Sequence, residues 1–254
     1  MRAIVRDVTR ARAAVAVPEL FLGLLSLAVA AVWIGHIFAA TIQDAKHTAD
    51  TISITGSARE PISADLVKWS LRVDGKAATA AEAARRSRQA SSALLAFLRG
   101  AGIRADAISP QVVQSEVVIT RVSKRITRTT YVVSQGFDVS TGAIDTVQAA
   151  ATRLGSLLER GVHVSAQPLA FISTDLERAK LEALTAATAE ARRRAGILVN
   201  GLGGKLGRMR ASSLGVYQIT PRNSTDVSDY GINDTSSRLK DVTAVVSATF
   251  AVKQ

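Results

Sequence analysis

Basic side chains are the first candidates for chemistry in this 254-residue sequence, which carries a formal net charge of +11. They are densest in residues 121–128, and this basic patch consists of Arg121, Lys124, Arg125 and Arg128. Cations grouped without an intervening acid can bind a phosphate-rich surface. The same cations at a hairpin tip can instead protect a sheet edge or turn from pairing with another chain. The basic patch is therefore a candidate anionic-surface site, and both interpretations stay open.

Catalytic and metal-binding patterns are missing from the sequence. The histidines, His36, His47 and His163, are too widely spaced for a His-x-x-x-His metal pair or for a nucleophile and its base. The chain has no cysteine, which excludes disulfides and thiolate metal sites. The glycine-rich residues 201–207 differ from a phosphate-binding loop, since Leu206 stands where Ser or Thr is required. We therefore predict no catalytic residue, no cofactor and no metal.

A long apolar segment determines where these residues are placed relative to a membrane. Residues 20–40 contain no charged side chain over 21 positions, which is enough for a helix to cross a bilayer core about 30 Å thick. Four arginines precede the segment, and by the positive-inside tendency the tail 1–19 stays in the cytoplasm. Residues 41–50 are polar and form a spacer. The sequence thus predicts a single transmembrane helix followed by an exported domain.

Cleavage of the apolar segment is the alternative to a retained anchor. Ala39 and Ala40 offer small side chains, so cleavage after Ala40 would release a secreted domain. The apolar run is longer than the 7–15 residues that are roughly typical of a signal peptide, and this length favours the anchor.

The charge of the exported part restricts its partners. Residues 44–254 keep 28 basic and 19 acidic residues, because four of the 32 basic and two of the 21 acidic residues come earlier. Aromatic residues form only 4% of the chain, too few for the stacking platforms that bind single-stranded nucleic acid. We predict no nucleic-acid binding, and the charge favours anionic lipid headgroups or cell-wall polymers.

Residues 51–254 alternate between strand and helix patterns, which predicts an α+β domain. The predicted strands are 51–56, 65–73, 111–120, 129–140, 162–172, 209–219 and 243–252, and the predicted helices are 79–99, 141–161 and 174–202. Capping boxes at Thr79-x-x-Glu82 and Thr174-x-x-Glu177 start two of these helices. The order of elements over residues 65–172 is that of a split βαβ (βαββαβ) unit, which packs two helices on one face of an antiparallel sheet.

A long polar loop separates the last two predicted strands. Residues 220–241 are rich in Asn, Ser and Asp and hold little to bury. Loops of this length are usually functional or disordered. We interpret this one as a candidate oligomer or partner loop that becomes ordered by packing on a partner subunit. Its candidate contact residues are Pro221, Tyr230 and Ile232.

A pattern of small and apolar residues marks the helix 174–202 and its exit. It reads Leu184-x-x-Ala187-x-x-x-Ala191-Arg192-x-x-Ala195-x-x-Leu198-x-x-x-Leu202-Gly203, then Lys205-Leu206-Gly207, after an earlier Ile52-x-Ile54-Thr55-Gly56 and Ala64-Asp65. With these residues the chain resembles the SIMPL-domain family of bacterial envelope proteins over about residues 51–254. The chain departs from the family at Arg238-Leu239-Lys240-Asp241, where a glycine is frequent, and this leaves the start of the last strand undefined.

The resemblance implies a fold and a mode of action more than a chemistry. It implies a secreted or membrane-tethered α+β domain that self-associates into rings or larger assemblies, with links to envelope stress. We therefore expect a homo-oligomeric scaffold anchored in the bacterial inner membrane, with its domain in the periplasm. The alternatives are a periplasmic enzyme acting on lipid or cell-wall material, and a basic adaptor that docks on anionic headgroups through residues 121–128.

Overall fold

The computed structural model describes residues 50–121, 123 and 127–253. The strands are β1 Thr51–Ser63, β2 Leu66–Ala77, β3 Ile108–Pro110, β4 Gln114–Arg121, β5 Thr127–Thr141, β6 Val164–Ala166, β7 Ala170–Ile172, β8 Lys205–Leu214, β9 Gln218–Pro221, β10 Ile232–Asn233 and β11 Leu239–Lys253. The helices are α1 Ala80–Gly100, α2 Ile144–Arg153, α3 Gly155–Glu159 and α4 Leu176–Gly201. The domain is thus a mixed α+β protein, as the sequence predicted.

The predicted transmembrane helix 20–40 lies outside the described residues, and so does the spacer 41–50 apart from Asp50. Within the described part of the chain, none of the helices combines the length and the apolar character needed to cross a membrane.

Strands β2 and β5 form the centre of the first sheet and pair antiparallel with each other. Strands β3 and β4 pair with the other side of β5, while β6 and β7 pair with the other side of β2, all antiparallel. This order confirms the split βαβ arrangement. Two predicted elements of this split βαβ unit are divided: the helix 141–161 is α2 and α3, and the strand 162–172 is β6 and β7. Pro168 lies between β6 and β7 and has no amide hydrogen for the ladder.

Helices cover one face of the first sheet. Side chains alternate along β2, so Val67, Trp69 and Leu71 are buried while Ser70 and Arg72 are exposed. The buried face packs against apolar side chains from α1, α2 and α3, which include Leu94, Leu98, Ile144, Val147 and Leu157. The opposite face of β2 and β5, called the open face here, carries polar side chains.

Half of one predicted capping box forms, because the Glu82 carboxylate accepts from Arg85 and Arg86. The Thr79 hydroxyl accepts a hydrogen bond from the Glu82 amide at 3.3 Å and starts α1, as predicted. The Thr174 box is wrong, because the Thr174 amide, which would donate to Glu177 in a capping box, donates to the Asp65 carboxylate at 2.8 Å, and the Thr174 hydroxyl donates to the same carboxylate. These bonds, the hydroxyl bond first, hold the pKa of Asp65 below its ordinary value. A carboxylate distant in sequence therefore takes the amide hydrogen that a local capping box would use.

Strand β11 is the central strand of the second sheet. It pairs with β1, β9 and β8, and β9 pairs in parallel with the short β10. The predicted strand 209–219 is divided into β8 and β9. Strand β1 continues through Pro61 to Ser63, beyond the end of the predicted strand 51–56. Proline is tolerated there because β1 is an edge strand that pairs only with β11 among the described strands.

Glycine allows close contact between helix and strand in both sheets. A Cβ atom added at Gly56 of β1 would lie 2.4 Å from the Ala187 carbonyl oxygen and 2.4 Å from the Ala191 amide nitrogen of α4. A Cβ atom added at Gly75 of β2 would lie 2.2 Å from the Ala83 carbonyl oxygen of α1. On α4 the contact belongs to a buried stripe of small residues, which includes Ala179, Ala183, Ala187 and Ala191.

The chain forms two compact units. Of the described residues, the smaller unit holds 50–53, 195–211 and 249–253, and the larger unit holds 54–194 and 212–248. In the smaller unit the Val252 amide donates to the Asp50 carbonyl at 2.8 Å. The candidate sites described below lie in the larger unit.

Candidate functional site

The two described residues of the basic patch, Arg121 and Arg128, lie at one end of the β4–β5 hairpin. Arg121 ends β4 opposite Thr127, and Arg128 of β5 pairs with Thr120 one position further along. Both arginine side chains are exposed. Lys124 and Arg125 lie outside the described residues. The register therefore places Arg121 and Arg128 at the same end of the β4–β5 hairpin, as the sequence predicted.

The strand that leads to this tip is an exposed sheet edge. Among the described strands β4 pairs only with β5, so its second side has open hydrogen-bonding groups. Val117 and Ile119 lie on one face of β4, with 51% and 67% of their surfaces exposed. This β4 edge thus combines open backbone groups with exposed apolar side chains, a pattern that favours pairing with another strand.

The three candidate residues of the polar loop occupy different settings. Pro221 ends β9 opposite Lys240, and Ile232 pairs with Gln218 in the short parallel β9–β10 contact. Tyr230 is 97% exposed. Pro221 and Ile232 are therefore strand residues of the second sheet. Tyr230 is the one of these three residues that is almost completely exposed to solvent.

The loop itself is organised by contacts within the chain, contrary to the expectation that it needs a partner subunit for order. The Gln218 side chain donates to the Ser228 carbonyl at 2.7 Å, and the backbone amide of Asn223 donates to the Asp241 carboxylate at 3.2 Å. Asn223 has a positive φ of 65°, a conformation that asparagine adopts more readily than most residues.

A polar cavity on the open face was not predicted from the sequence. Its volume is about 210 Å³, and its walls come from β2, β5, β6, the start of β4 and the segments before β4 and after β6. The polar side chains in these walls belong to Ser70, Arg72, Gln111, Gln114, Ser134, Ser165 and Gln167. The Arg72 side chain donates to Ser134 Oγ at 2.6 Å and to Asp74 at 3.2 Å. This polar cavity is a candidate ligand site of the larger unit.

Gly136 shapes the polar cavity. A Cβ atom at this position would lie 2.5 Å from Gln111 Oε1, so only glycine allows the Gln111 side chain to lie across β5. The Gln111 amide nitrogen Nε2 donates to Asp138 at 2.6 Å, and Ser70 Oγ donates to the same carboxylate at 2.7 Å. Three side chains from different segments are thereby held in one arrangement.

These hydrogen bonds keep Asp138 ionised. The Ser70 bond is the largest cause and the Gln111 bond the second, and together they hold the pKa of Asp138 below its ordinary value. An ionised carboxylate only accepts hydrogen bonds. Gln111 must therefore turn its Nε2 toward Asp138 and its Oε1 away from it, which gives the cavity wall a defined acceptor.

Two neighbouring charges are buried at the start of β11. Lys240 and Asp241 are 3% and 4% exposed, and as adjacent strand residues they point to opposite sides of the sheet. Lys240 Nζ donates to the Phe171 carbonyl at 2.7 Å and to the Asp234 carbonyl. Burial lowers the pKa of Lys240, opposed by the Asp234 carboxylate. This pair lies in the segment 238–241 that departs from the family pattern. The last strand, β11, begins within that segment at Leu239.

Asp241 has cationic partners on its own side of the sheet. Its carboxylate lies 3.6 Å from Arg59 and 3.8 Å from Arg222. The two arginines and the backbone amide of Asn223 therefore offset the cost of burying the Asp241 charge. Both buried charges connect β11 to other segments of the chain.

The described residues do not assemble a recognisable catalytic group. No cluster of three or more His, Asp or Glu side chains that could hold a metal is found among them. His163 and Asp74 line the same surface depression, but no hydrogen bond joins their side chains in the described structure, and Asp74 accepts from Arg72. The acid and base pair that an enzyme would need at His163 is thus not formed there.

Comparison with known families identifies the chain. The sequence model described as "SIMPL: Protein of unknown function (DUF541)" matches residues 52–250. The chain belongs to the SIMPL family. No curated protein matches the chain. Among solved structures, the SIMPL chain is similar to the ligand-free regulatory subunit of aspartate kinase from Thermus thermophilus, at 12% identity over 76% of this chain and 87% of that chain. Their TM-score of 0.18 is too low for an inference about fold or function.

Proposed function

We propose that this SIMPL protein is a membrane-anchored scaffold of the bacterial envelope that acts by self-assembly and binding. The apolar segment 20–40 would hold it in the inner membrane, with the described domain in the periplasm and a role in envelope stress. Support comes from the length of that segment, from the family, and from the exposed β4 edge. The β4 edge carries the proposal of self-assembly.

Self-assembly would use the β4 edge to pair with a second copy of the chain. Natural proteins usually cover long apolar edges or interrupt them with charges, yet Val117 and Ile119 are exposed on β4. Strand β8 has a similar character, because it pairs only with β11 among the described strands and most of its residues are exposed. Addition of a strand at an edge supplies backbone hydrogen bonds without a preformed pocket.

Two lysines in the β4 edge are expected to weaken assembly. In Val117→Lys/Ile119→Lys, like charges would meet in the apolar contact and association should weaken at least about tenfold, since about 1.4 kcal/mol corresponds to that factor. Mass photometry of the full-length protein in detergent measures the change. The matched control, Ala186→Lys/Ala189→Lys, adds the same charge on the exposed side of α4 and should assemble like the wild type. A monomeric wild type, or an unchanged edge variant, would rule out assembly through this edge.

Docking on anionic headgroups is a second candidate function, favoured by the exposure of Arg121 and Arg128 at the hairpin tip. Replacing all four residues of the basic patch by Gln should lower binding of residues 51–254 to anionic vesicles, by on the order of 1 kcal/mol for each cation that reaches the surface. Vesicle flotation measures this binding. The control replaces four exposed arginines elsewhere, namely Arg88, Arg99, Arg192 and Arg210. If both variants lost the same amount of vesicle binding, the effect would depend only on total charge, and this result would contradict the adaptor function.

A further inference from the structure

The polar cavity on the open face has the properties of a binding site for a small ligand. It is formed on rigid elements, because β2 and β5 are paired along the whole wall. Its volume of about 210 Å³ is smaller than the pockets of about 300–1,000 Å³ that take drug-sized molecules. A ligand that fits it is therefore the size of a monosaccharide.

The hydrogen-bonding groups of the cavity are arranged before a ligand arrives. Gln111 Oε1 is a fixed acceptor, because Nε2 of the same side chain is held by Asp138 at 2.6 Å. Ser70 Oγ gives its proton to Asp138 at 2.7 Å and so presents only lone pairs to the cavity. Ser134 Oγ accepts from Arg72, which leaves its own hydrogen to donate. This mixture of fixed donors and acceptors suits hydroxyl groups, which can do both.

The one charged side chain in the wall, Arg72, is paired with Asp74, and the part of its guanidinium that this pair leaves free can bind one acidic group of a ligand. Arg72 uses Nε and Nη2 for Asp74 and Ser134, and none of the described residues bonds to its Nη1. A guanidinium nitrogen with free hydrogens binds carboxylate oxygens strongly. The wall residues include only this charged side chain, which is too little for a ligand with several phosphates.

Other ligand classes fit the wall less well. No carboxylate belongs to the lining residues, so a divalent cation would lack the oxygen ligands that it prefers. No aromatic side chain lines the cavity either, so a nucleobase would find no stacking surface. Apolar ligands would meet mostly serine and glutamine side chains.

We propose that the polar cavity binds a sugar acid of monosaccharide size, with its carboxylate on Arg72 and its hydroxyl groups on Gln111, Ser70 and Ser134. Gly136 is the residue that makes this site possible, because a larger side chain would displace Gln111. The proposal is independent of self-assembly, since the cavity lies within one chain.

Ligand-observed NMR titration of the full-length protein in detergent tests the proposal, with glucuronate, glucose and acetate as probes. Glucuronate should bind with a dissociation constant on the order of 1 mM, as expected for a ligand of this size. Glucose lacks the carboxylate and acetate lacks the hydroxyl groups, so each should bind at least about tenfold more weakly. No glucuronate binding at ten times the expected constant, or equal binding of acetate, would overturn the proposal.

Variants separate the site from general charge effects. Arg72→Gln should weaken glucuronate binding about tenfold. Lys76→Gln removes the same charge from an exposed position of β2 outside the cavity and should leave glucuronate binding unchanged. Gly136→Ala should weaken glucuronate binding, because the added methyl group would displace the Gln111 side chain. Arg72 is half-exposed, so Arg72→Gln keeps the test valid even if Gly136→Ala does not fold. Equal effects of Arg72→Gln and Lys76→Gln would overturn the proposal.

Discussion

Gly56→Ala is expected to lower the free energy of unfolding by about 3 kcal/mol, the upper end of the usual range for overpacked cores. The added methyl group would lie 2.4 Å from two backbone atoms of α4, the Ala187 carbonyl oxygen and the Ala191 amide nitrogen. Backbone atoms cannot move aside as a flexible side chain can, so α4 would have to separate from β1. Urea denaturation of the full-length protein in detergent, followed by circular dichroism, measures the loss.

Two further variants test whether the loss comes from a clash with backbone atoms of α4. Because the clash is with backbone, trimming Ala191 to Gly should not rescue Gly56→Ala. Gly100→Ala provides the opposite expectation, since a Cβ atom at Gly100 meets nothing within 4 Å. Gly100 ends α1, so alanine there should stabilise the protein by about 0.5 kcal/mol through a smaller loss of chain entropy. Equal midpoints for Gly56→Ala and the wild type would contradict the close contact of α4 with β1.

The parts of the fold that depend on local pattern could be predicted from the sequence. The spacing of apolar residues identified α1, α2 and α4, and the Thr79 cap lies within one turn of its partner Glu82. The split βαβ order followed because each predicted element was long enough to show its period. The Thr174 cap failed because the competing acceptor, Asp65, lies 109 positions away. A local rule cannot include a partner that only the folded chain brings near.

The polar cavity could not be predicted for the same reason. Its key contact joins Gln111 to Asp138, and the position of Gln111 depends on Gly136, two residues before Asp138 on β5. No spacing in the sequence identifies these residues, because the pairing of β2 with β5 decides which side chains share the open face. Gly136 was the one local signal, since glycine inside a strand often marks a close approach. The basic patch, by contrast, is contiguous in sequence, and the hairpin around it was predicted.

Lys240→Met is expected to cost about 3 kcal/mol of unfolding free energy, although methionine has a similar volume and is apolar. Lys240 is 3% exposed and donates to the carbonyls of Phe171 and Asp234. Methionine would leave these two carbonyl oxygens without the donor that they have in the wild type, and a buried polar group left unsatisfied costs about 1–3 kcal/mol. Urea denaturation measures the loss, with Lys68→Met, at an exposed position of β2, as the matched control. A cost of Lys240→Met below about 1 kcal/mol would contradict a structural role for the buried amine.

The pH dependence of this difference tests the environment of Lys240 separately. Burial lowers the pKa of Lys240 in the folded protein from 10.5, so between that lowered pKa and 10.5 the unfolded chain binds more protons at this residue. The free energy of unfolding must then rise with pH in this window. The wild-type protein should therefore gain stability relative to Lys240→Met as the pH increases toward 10.5, while other groups cancel in the difference. If the difference instead fell with increasing pH, contacts with Asp234 would outweigh desolvation and the folded pKa of Lys240 would be raised.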